Sequence, residues 1–156
     1  MSLSTTLATT APTTSSLWKK PLSIDLLKSI HQGTAVGHLG IEFTGFTSDS
    51  ISARMPVDKR TIQPYGILHG GASVVLAETL GSCAAHYASD SAYMAVGLDI
   101  NANHIRSVRE GWVHGTARPV HVGRTTQVWE IRIVDEVDKL VCIARITMAI
   151  LNNVPK

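Results

Sequence analysis

The spacing of apolar residues changes character near residue 90. Downstream, four runs alternate with period two, the pattern of half-buried strands: YMAVGLDINANHI (93–105), GWVHGTARPVHV (111–122), TTQVWEIRIVD (125–135) and LVCIARITMAILN (140–152). The third puts Gln127, Trp129, Ile131 and Ile133 on one face. The links SVREG, HVGR and DEVDK are short, which predicts antiparallel pairing in sequence order. The fourth run is apolar on both faces and is expected at the centre of the sheet. Upstream, Ser23 can cap a short amphipathic helix, SIDLLKSIHQG, that ends at Gly33. GIEFTGFTSDSISARMPV (40–57) reads as two strands joined by the turn TSDS. DKRTIQPYGILHGG is a loop punctuated by Pro64, Gly66, Gly70 and Gly71. From about Gly70 to Ala88 the residues are small or apolar on nearly every side, which predicts a helix wrapped by other structure. One long central helix and about six strands make an α+β domain, a single curved antiparallel sheet around the helix.

That helix carries one charge. From Thr61 to Ser89 there is no Lys, Arg or Asp and a single Glu, Glu78. At 100° per residue, Leu76, Leu80, Cys83 and Tyr87 fall opposite Glu78 and supply the bulk that packs on the sheet. The face of Glu78 itself holds Gly71, Val74, Val75, Gly81, Ser82 and Ala85, mostly small, so another chain or a ligand can approach closely. The ordinary reading of such a residue is a solvated glutamate. Two features oppose it. A solvated face normally carries several charges, and this one carries one. Moreover, LHGG puts the amides of Gly70 and Gly71 at the helix N-terminus, where they lack intrahelical acceptors and the helix dipole is positive. Such a place suits an anion, or a carbonyl oxygen gaining charge in a reaction. Glu78 lies about 12 Å further along the helix, too far for one reacting carbon to meet both groups. A symmetric dimer, with the turn from one chain and Glu78 from the other, would close the gap.

Composition narrows the function classes. The chain has 156 residues, enough for one domain, and hydrophobic residues make up 44% against 17% charged. So low a charged fraction predicts that partner subunits cover some of the surface. The net charge of +2 argues against nucleic acid or an acidic membrane as partner. No apolar run approaches the ~20 residues of a membrane span. Cys83 and Cys142 sit in apolar runs and read as small core residues rather than a disulfide. No spacing suggests a metal site. Residues 1–20 are read as a disordered tail, Ser/Thr-rich and uncharged over its first seventeen positions. It lacks the early positive charge and apolar block of a secretory signal, so a cytoplasmic location is expected. A plastid-type targeting peptide is the other reading of the tail.

The stretch QPYGILHGGASVVLAETLGS (63–82) resembles the hotdog-fold acyl-CoA thioesterases, most closely the group acting on 1,4-dihydroxy-2-naphthoyl-CoA and 4-hydroxybenzoyl-CoA. The resemblance runs from HLGIEF to ITMAIL and includes MPVDKRTIQP, NANHIRSVREG and VHVGRTTQVWEI. Its specific part is Gln63, His69-Gly70-Gly71 and Glu78 at this spacing; HGG alone would be weak. It implies that Glu78 is the catalytic carboxylate, as nucleophile or as general base on water, and that the Gly70 N–H polarises the thioester carbonyl. It further implies that Gln63 and His69 orient that carbonyl and support the loop. By the same resemblance Ser82 bonds near the carboxylate or the water, from the same subunit. Arg106, Arg124 and Thr125 fall at positions that contact the nucleotide end of CoA, and Gly71 and His104 are further candidates for substrate or CoA binding. CoA is then part of the substrate, and no cofactor is needed. The implied assembly is a dimer with composite sites, paired into a dimer of dimers.

The chemistry agrees without the family. A thioester carbon is electrophilic and its thiolate leaves easily, so an oxyanion site plus a nucleophile or base suffices. HVGRTT (121–126) is a tight turn with free amides and a basic side chain, suited to a phosphate. His104 falls with Leu98, Ile100 and Ala102 on one strand face, while Asp99, Asn101 and Asn103 share the other and are given no catalytic role. His38, His86, His114 and His121 read as bystanders. Two rival readings stay open. A hotdog dehydratase or hydratase would use His69 and Glu78 to move a proton α to the carbonyl. A non-catalytic acyl-CoA binding module would keep the phosphate site and have no need of Glu78.

Overall fold

Ser23 is the N-cap of a first helix, α1 (Ile24–Ile30), and its side chain accepts the Leu26 N–H at 3.1 Å. The structure, a computed structural model, describes residues 16–152. A single further turn, α2 (Ala35–His38), leads into the hairpin of β1 (Glu42–Phe46) and β2 (Ile51–Pro56). Then follow α3 (Gly70–Ala88), β3 (Tyr93–His104), β4 (Trp112–Val122), β5 (Thr126–Val134) and β6 (Leu140–Asn152). The long helix has the expected bounds, and each expected run contains one strand.

The strands form one six-stranded antiparallel sheet in the order β1-β2-β4-β5-β6-β3. This corrects the expectation of pairing in sequence order. β4, β5 and β6 obey it, but β3 pairs with β6 at the far edge. Passing over β6 and β5 means crossing three strand spacings, about 14 Å. The seven-residue link 105–111 can span roughly 23 Å, so its shortness does not force a hairpin. It is pinned on the way, with Ile105 N–H donating to Val141 O (2.8 Å) and Leu68 N–H to Val108 O (2.7 Å). β6 is accordingly interior, one place from the edge, rather than central.

α3 packs on β2, β3, β4, β5 and β6, with Leu76, Leu80, Cys83 and Tyr87 buried as the helical wheel requires. Opposite them Gln127, Trp129, Ile131 and Ile133 are buried together, the predicted face of β5. Burying each large apolar side chain contributes on the order of 1.5–3 kcal/mol. Gln127 is satisfied there. Its Nε2 donates to Ser89 Oγ (3.1 Å) and its Oε1 accepts from Trp129 Nε1 (3.0 Å), tying the end of α3 to the sheet. Gly81 and Ala85, placed by the wheel on the flank of Glu78, are buried as well, and a Cβ on Gly81 would overlap Ile146 of β6. The sheet curls far enough to cover that flank. What stays open is the stripe Gly71, Val74, Val75, Glu78, Ser82 and His86. A helix enclosed by one curved antiparallel sheet is the hotdog architecture.

Residues 17–20, read from the sequence as tail, belong to the packed domain. Trp18 stacks on Trp129 (centroids 6.2 Å apart, planes at 12°) and donates its Nε1–H to Thr47 O at 2.6 Å. Lys19 N–H donates to Tyr87 O at 2.8 Å. The Leu17-Trp18 pair finds apolar cover only once β5 and the β1–β2 turn are assembled. Residues 1–15, the rest of the predicted tail, lie outside the described residues.

Candidate active site

The loop before α3 delivers His69 in extended conformation (φ −71°, ψ 129°) as the helix N-cap. Its Nδ1 accepts the Gly71 N–H at 2.8 Å, and its own N–H donates to Thr61 O at 2.8 Å. The pair of amides expected at this helix end is therefore divided. Gly71 N–H is committed to the cap, which removes Gly71 as a substrate-binding amide. Gly70 N–H has no protein acceptor among the described residues. His69 thus shapes the N-terminus from within the chain.

Gln63 braces the same loop. Its side-chain Oε1 accepts Tyr65 N–H (3.0 Å), and its backbone N–H donates to Ile67 O (2.9 Å). His104, at the end of β3, lies against the first turn of α3, because a Cβ on Gly70 would sit 2.8 Å from its Nε2. A cavity of about 320 Å³ joins these groups, with Gln63, Gly70, Ser73, His104 and Arg106 in its wall. Four of the predicted residues, Gln63, Gly70, His104 and Arg106, are thus brought together around the helix N-terminus.

Two turns along, Ser82 Oγ donates to Glu78 Oε1 at 2.9 Å, as their i, i+4 spacing allows. Both are half-buried on the open stripe. Facing them is Gly97 of β3, which the sequence reading missed. The ladder there pairs Gly97 with Met148 and then Asp99 with Thr147, so Leu98 is a bulge residue without a partner. Leu98 is 65% exposed and does not share the inward face of His104, Ile100 and Ala102. The available signal was the glycine itself, which inside a strand pattern marks a bulge or a close approach.

Arg124 and Thr125 are not brought to this group within one chain. They sit in the β4–β5 turn beside the C-terminal end of α3, where Lys19, Ser89, Asp90 and Tyr93 share a second cavity of about 340 Å³ with Arg124. That end is roughly 27 Å along the helix from Gly70. The turn is closed by Gly123 N–H donating to Thr126 O (3.0 Å), and the Arg124 and Thr125 amides have no protein acceptor among the described residues. His86, at the same end of the open stripe, is held below its ordinary pKa by burial and by the neighbouring Lys20 ammonium. Cys83 and Cys142 are free and buried, and burial pushes the Cys83 thiol up to about 12, so it is no nucleophile at neutral pH.

An unpaired amide at a helix N-terminus and a lone, oriented carboxylate are the two parts that acyl transfer from a thioester requires. Comparison with known proteins agrees. Residues 65–142 match the family model described as the thioesterase superfamily. The chain is 49% identical over 135 residues to the 1,4-dihydroxy-2-naphthoyl-CoA hydrolase of Escherichia coli, covering 86% of this chain and 99% of that protein. It is 45% identical over 135 residues to the proofreading thioesterase EntH of Cronobacter turicensis, with coverages of 86% and 98%. The solved structure of a thioesterase from Haemophilus influenzae superposes with a TM-score of 0.87 at 49% identity, covering 89% of this chain and 97% of that one. With that likeness resting on the same helix, turn and sheet, the chain belongs to the thioesterase superfamily and is a hotdog-fold thioester hydrolase.

Proposed function

We propose that this enzyme hydrolyses an acyl-CoA whose acyl group is aromatic, of the dihydroxynaphthoyl or benzoyl type, to the free acid and CoA. The observation that carries the reading is Glu78, a single carboxylate on a small, neutral helix face, oriented by Ser82. In this mechanism the Gly70 N–H holds the thioester oxygen as it gains charge. Glu78 either takes a proton from water as the water adds to the carbonyl carbon, after which the C–S bond breaks and CoA leaves as thiolate, or it adds to that carbon itself, the C–S bond breaks to leave an acyl-Glu78 anhydride, and water then hydrolyses the anhydride to the free acid. In both routes the CoA thiolate takes up a proton. The aromatic preference is supported by the Escherichia coli relative, whose name states a dihydroxynaphthoyl-CoA substrate. The active unit in this reading is a dimer, paired further into a tetramer. Its support is the free edge of β3, twelve residues long, with Met94, Val96 and Leu98 exposed at 40%, 39% and 65%.

The test is CoA release from aromatic and straight-chain acyl-CoA substrates, compared by kcat/KM. Aromatic substrates should lead. A lead for straight-chain substrates would refute the aromatic reading, and tight binding without release of CoA would refute hydrolysis.

At the coenzyme end, Arg124 binds phosphate together with the free amides of its turn, and Arg106 assists at the cavity mouth. Replacing Arg124 by Ala should raise KM for CoA thioesters on the order of 10-fold with kcat nearly unchanged, since contacts far from the reacting carbon act equally on ground and transition states. One exposed charge-assisted bond is worth about 1.5–3 kcal/mol at most, and the KM effect should shrink at high salt. An acyl-pantetheine thioester, lacking the nucleotide, should not distinguish variant from parent. An equal loss on both substrates would assign Arg124 to the fold or the assembly instead.

A further inference from the structure

We infer that Gly97 is a positioning residue for the reaction: the side chain it lacks is the slot in which the Glu78 carboxylate rests. The inference builds on the reading of Glu78 as the catalytic carboxylate. A Cβ added to Gly97 would lie 2.6 Å from Glu78 Oε1, 3.4 Å from Cδ and 3.5 Å from Oε2. The whole carboxyl group therefore leans on the bare backbone of β3. Oε1 is held from two sides, drawn by the Ser82 Oγ–H at 2.9 Å and admitted by the absence of a side chain at position 97. Glycine weakens a strand interior, having more backbone freedom to lose on folding and nothing to pack. Its presence opposite the one carboxylate of the helix is explained by the space it leaves.

The bulge at Leu98 completes the device. Before it, Tyr93, Ala95 and Gly97 face inward, opposite the buried Ile150 and Met148. After it, Ile100, Ala102 and His104 face inward, opposite the buried Ile146, Ala144 and Cys142. Without the extra residue the parity would not change. With Gly97 kept inward, Asp99 would turn toward the helix as a second carboxylate near Glu78, and His104 would turn away from Gly70. One inserted residue thus lets a single strand present a bare position to Glu78 and an imidazole to the helix N-terminus.

The experiment is Gly97→Ala, made in the parent and in a Glu78→Ala background. In the parent, kcat should fall on the order of 10²-fold while KM stays within about 3-fold, because a misplaced reacting group is felt in the transition state rather than in ground-state binding. Thermal stability supplies a readout independent of activity. The change in Tm caused by Gly97→Ala should be measurably more favourable in the Glu78→Ala background, where no carboxylate meets the new methyl group. The difference should be about one or two degrees, because the flexible end of Glu78 can move aside from that methyl group at small cost in stability. Failure of the single variant to fold, with recovery in the double variant, would show the same coupling. The proposal is overturned by equal Tm changes in both backgrounds, by misfolding in both, by a kcat within 2-fold of the parent, or by a loss that appears in KM instead. Coupling in Tm alongside full turnover by Glu78→Gln would preserve the contact and refute the reading of Glu78, so the two failures are distinguishable.

Discussion

Glu78→Gln should fold as the parent does and lose turnover by roughly 10³-fold, within the 10²–10⁴ typical of a positioned acid or base. The amide keeps the size of the carboxylate and can still accept the Ser82 Oγ–H through its Oε1, so packing on the open stripe is preserved. What it loses is the negative charge, and with it the ability to take a proton from water or to add to the carbonyl carbon. Urea midpoints of the two proteins should coincide within experimental spread, which separates chemistry from folding. Turnover near that of the parent would remove Glu78 from the mechanism. Glu78→Asp refines the result. A water can partly adapt to a shorter reach, so measurable activity in that variant favours the general-base route. Covalent attack needs the carboxylate itself within about 3–3.5 Å of the carbon, so its abolition together with a trappable acyl-enzyme in the parent favours the nucleophile.

Much of this site was legible because it follows from local spacing. The bounds of α3 came from the Gly70-Gly71 start and the end of its small, apolar run. The Glu78–Ser82 bond was implied by the family resemblance and is permitted by the i, i+4 spacing, and the buried face of β5 came from strict alternation. The parts that were not legible depend on how elements meet. Alternation says which residues share a face but not which strand is the neighbour, and a link long enough to cross two strands looks the same as a wide hairpin. β3 was therefore misplaced. Period two also breaks at a single inserted residue, which is why Leu98 was put on the face of His104 and Gly97 was overlooked. The commitment of Gly71 N–H depends on the extended conformation of His69, which aims its ring back at the helix. Leu17 and Trp18 looked like tail because the surface that receives them is assembled from residues far along the chain.

Mixing two inactive variants should restore about a quarter of parental activity. Take Glu78→Gln chains and Gly70→Val chains, in which the added bulk falls against His104 and beside the Gly70 amide, which has no protein acceptor among the described residues. Each homodimer should be nearly inactive, since losing one oxyanion donor alone typically costs ~10²–10³ in rate. In a 1:1 mixture after complete exchange, about half of the dimers contain one chain of each kind. If each site takes the Gly70 turn from one chain and Glu78 from the other, every such dimer has one intact site and one doubly damaged site. Half of the dimers with half of their sites leaves about a quarter. The spacing along the helix supports the composite site proposed above. A donor must lie within about 2.7–3.1 Å of the oxyanion, and the attacking atom within about 3–3.5 Å of the carbon. Along one helix, Gly70 and Glu78 are about 12 Å apart. The bond from Ser82, one turn beyond Glu78, draws the carboxylate further from Gly70 rather than back toward it. Exchange itself is checked by mass on chains carrying different tags. Activity that stays at the level of the two inactive parents after proven exchange would place the whole site within one chain, and the carboxylate would then have to abandon Ser82 to reach the helix N-terminus.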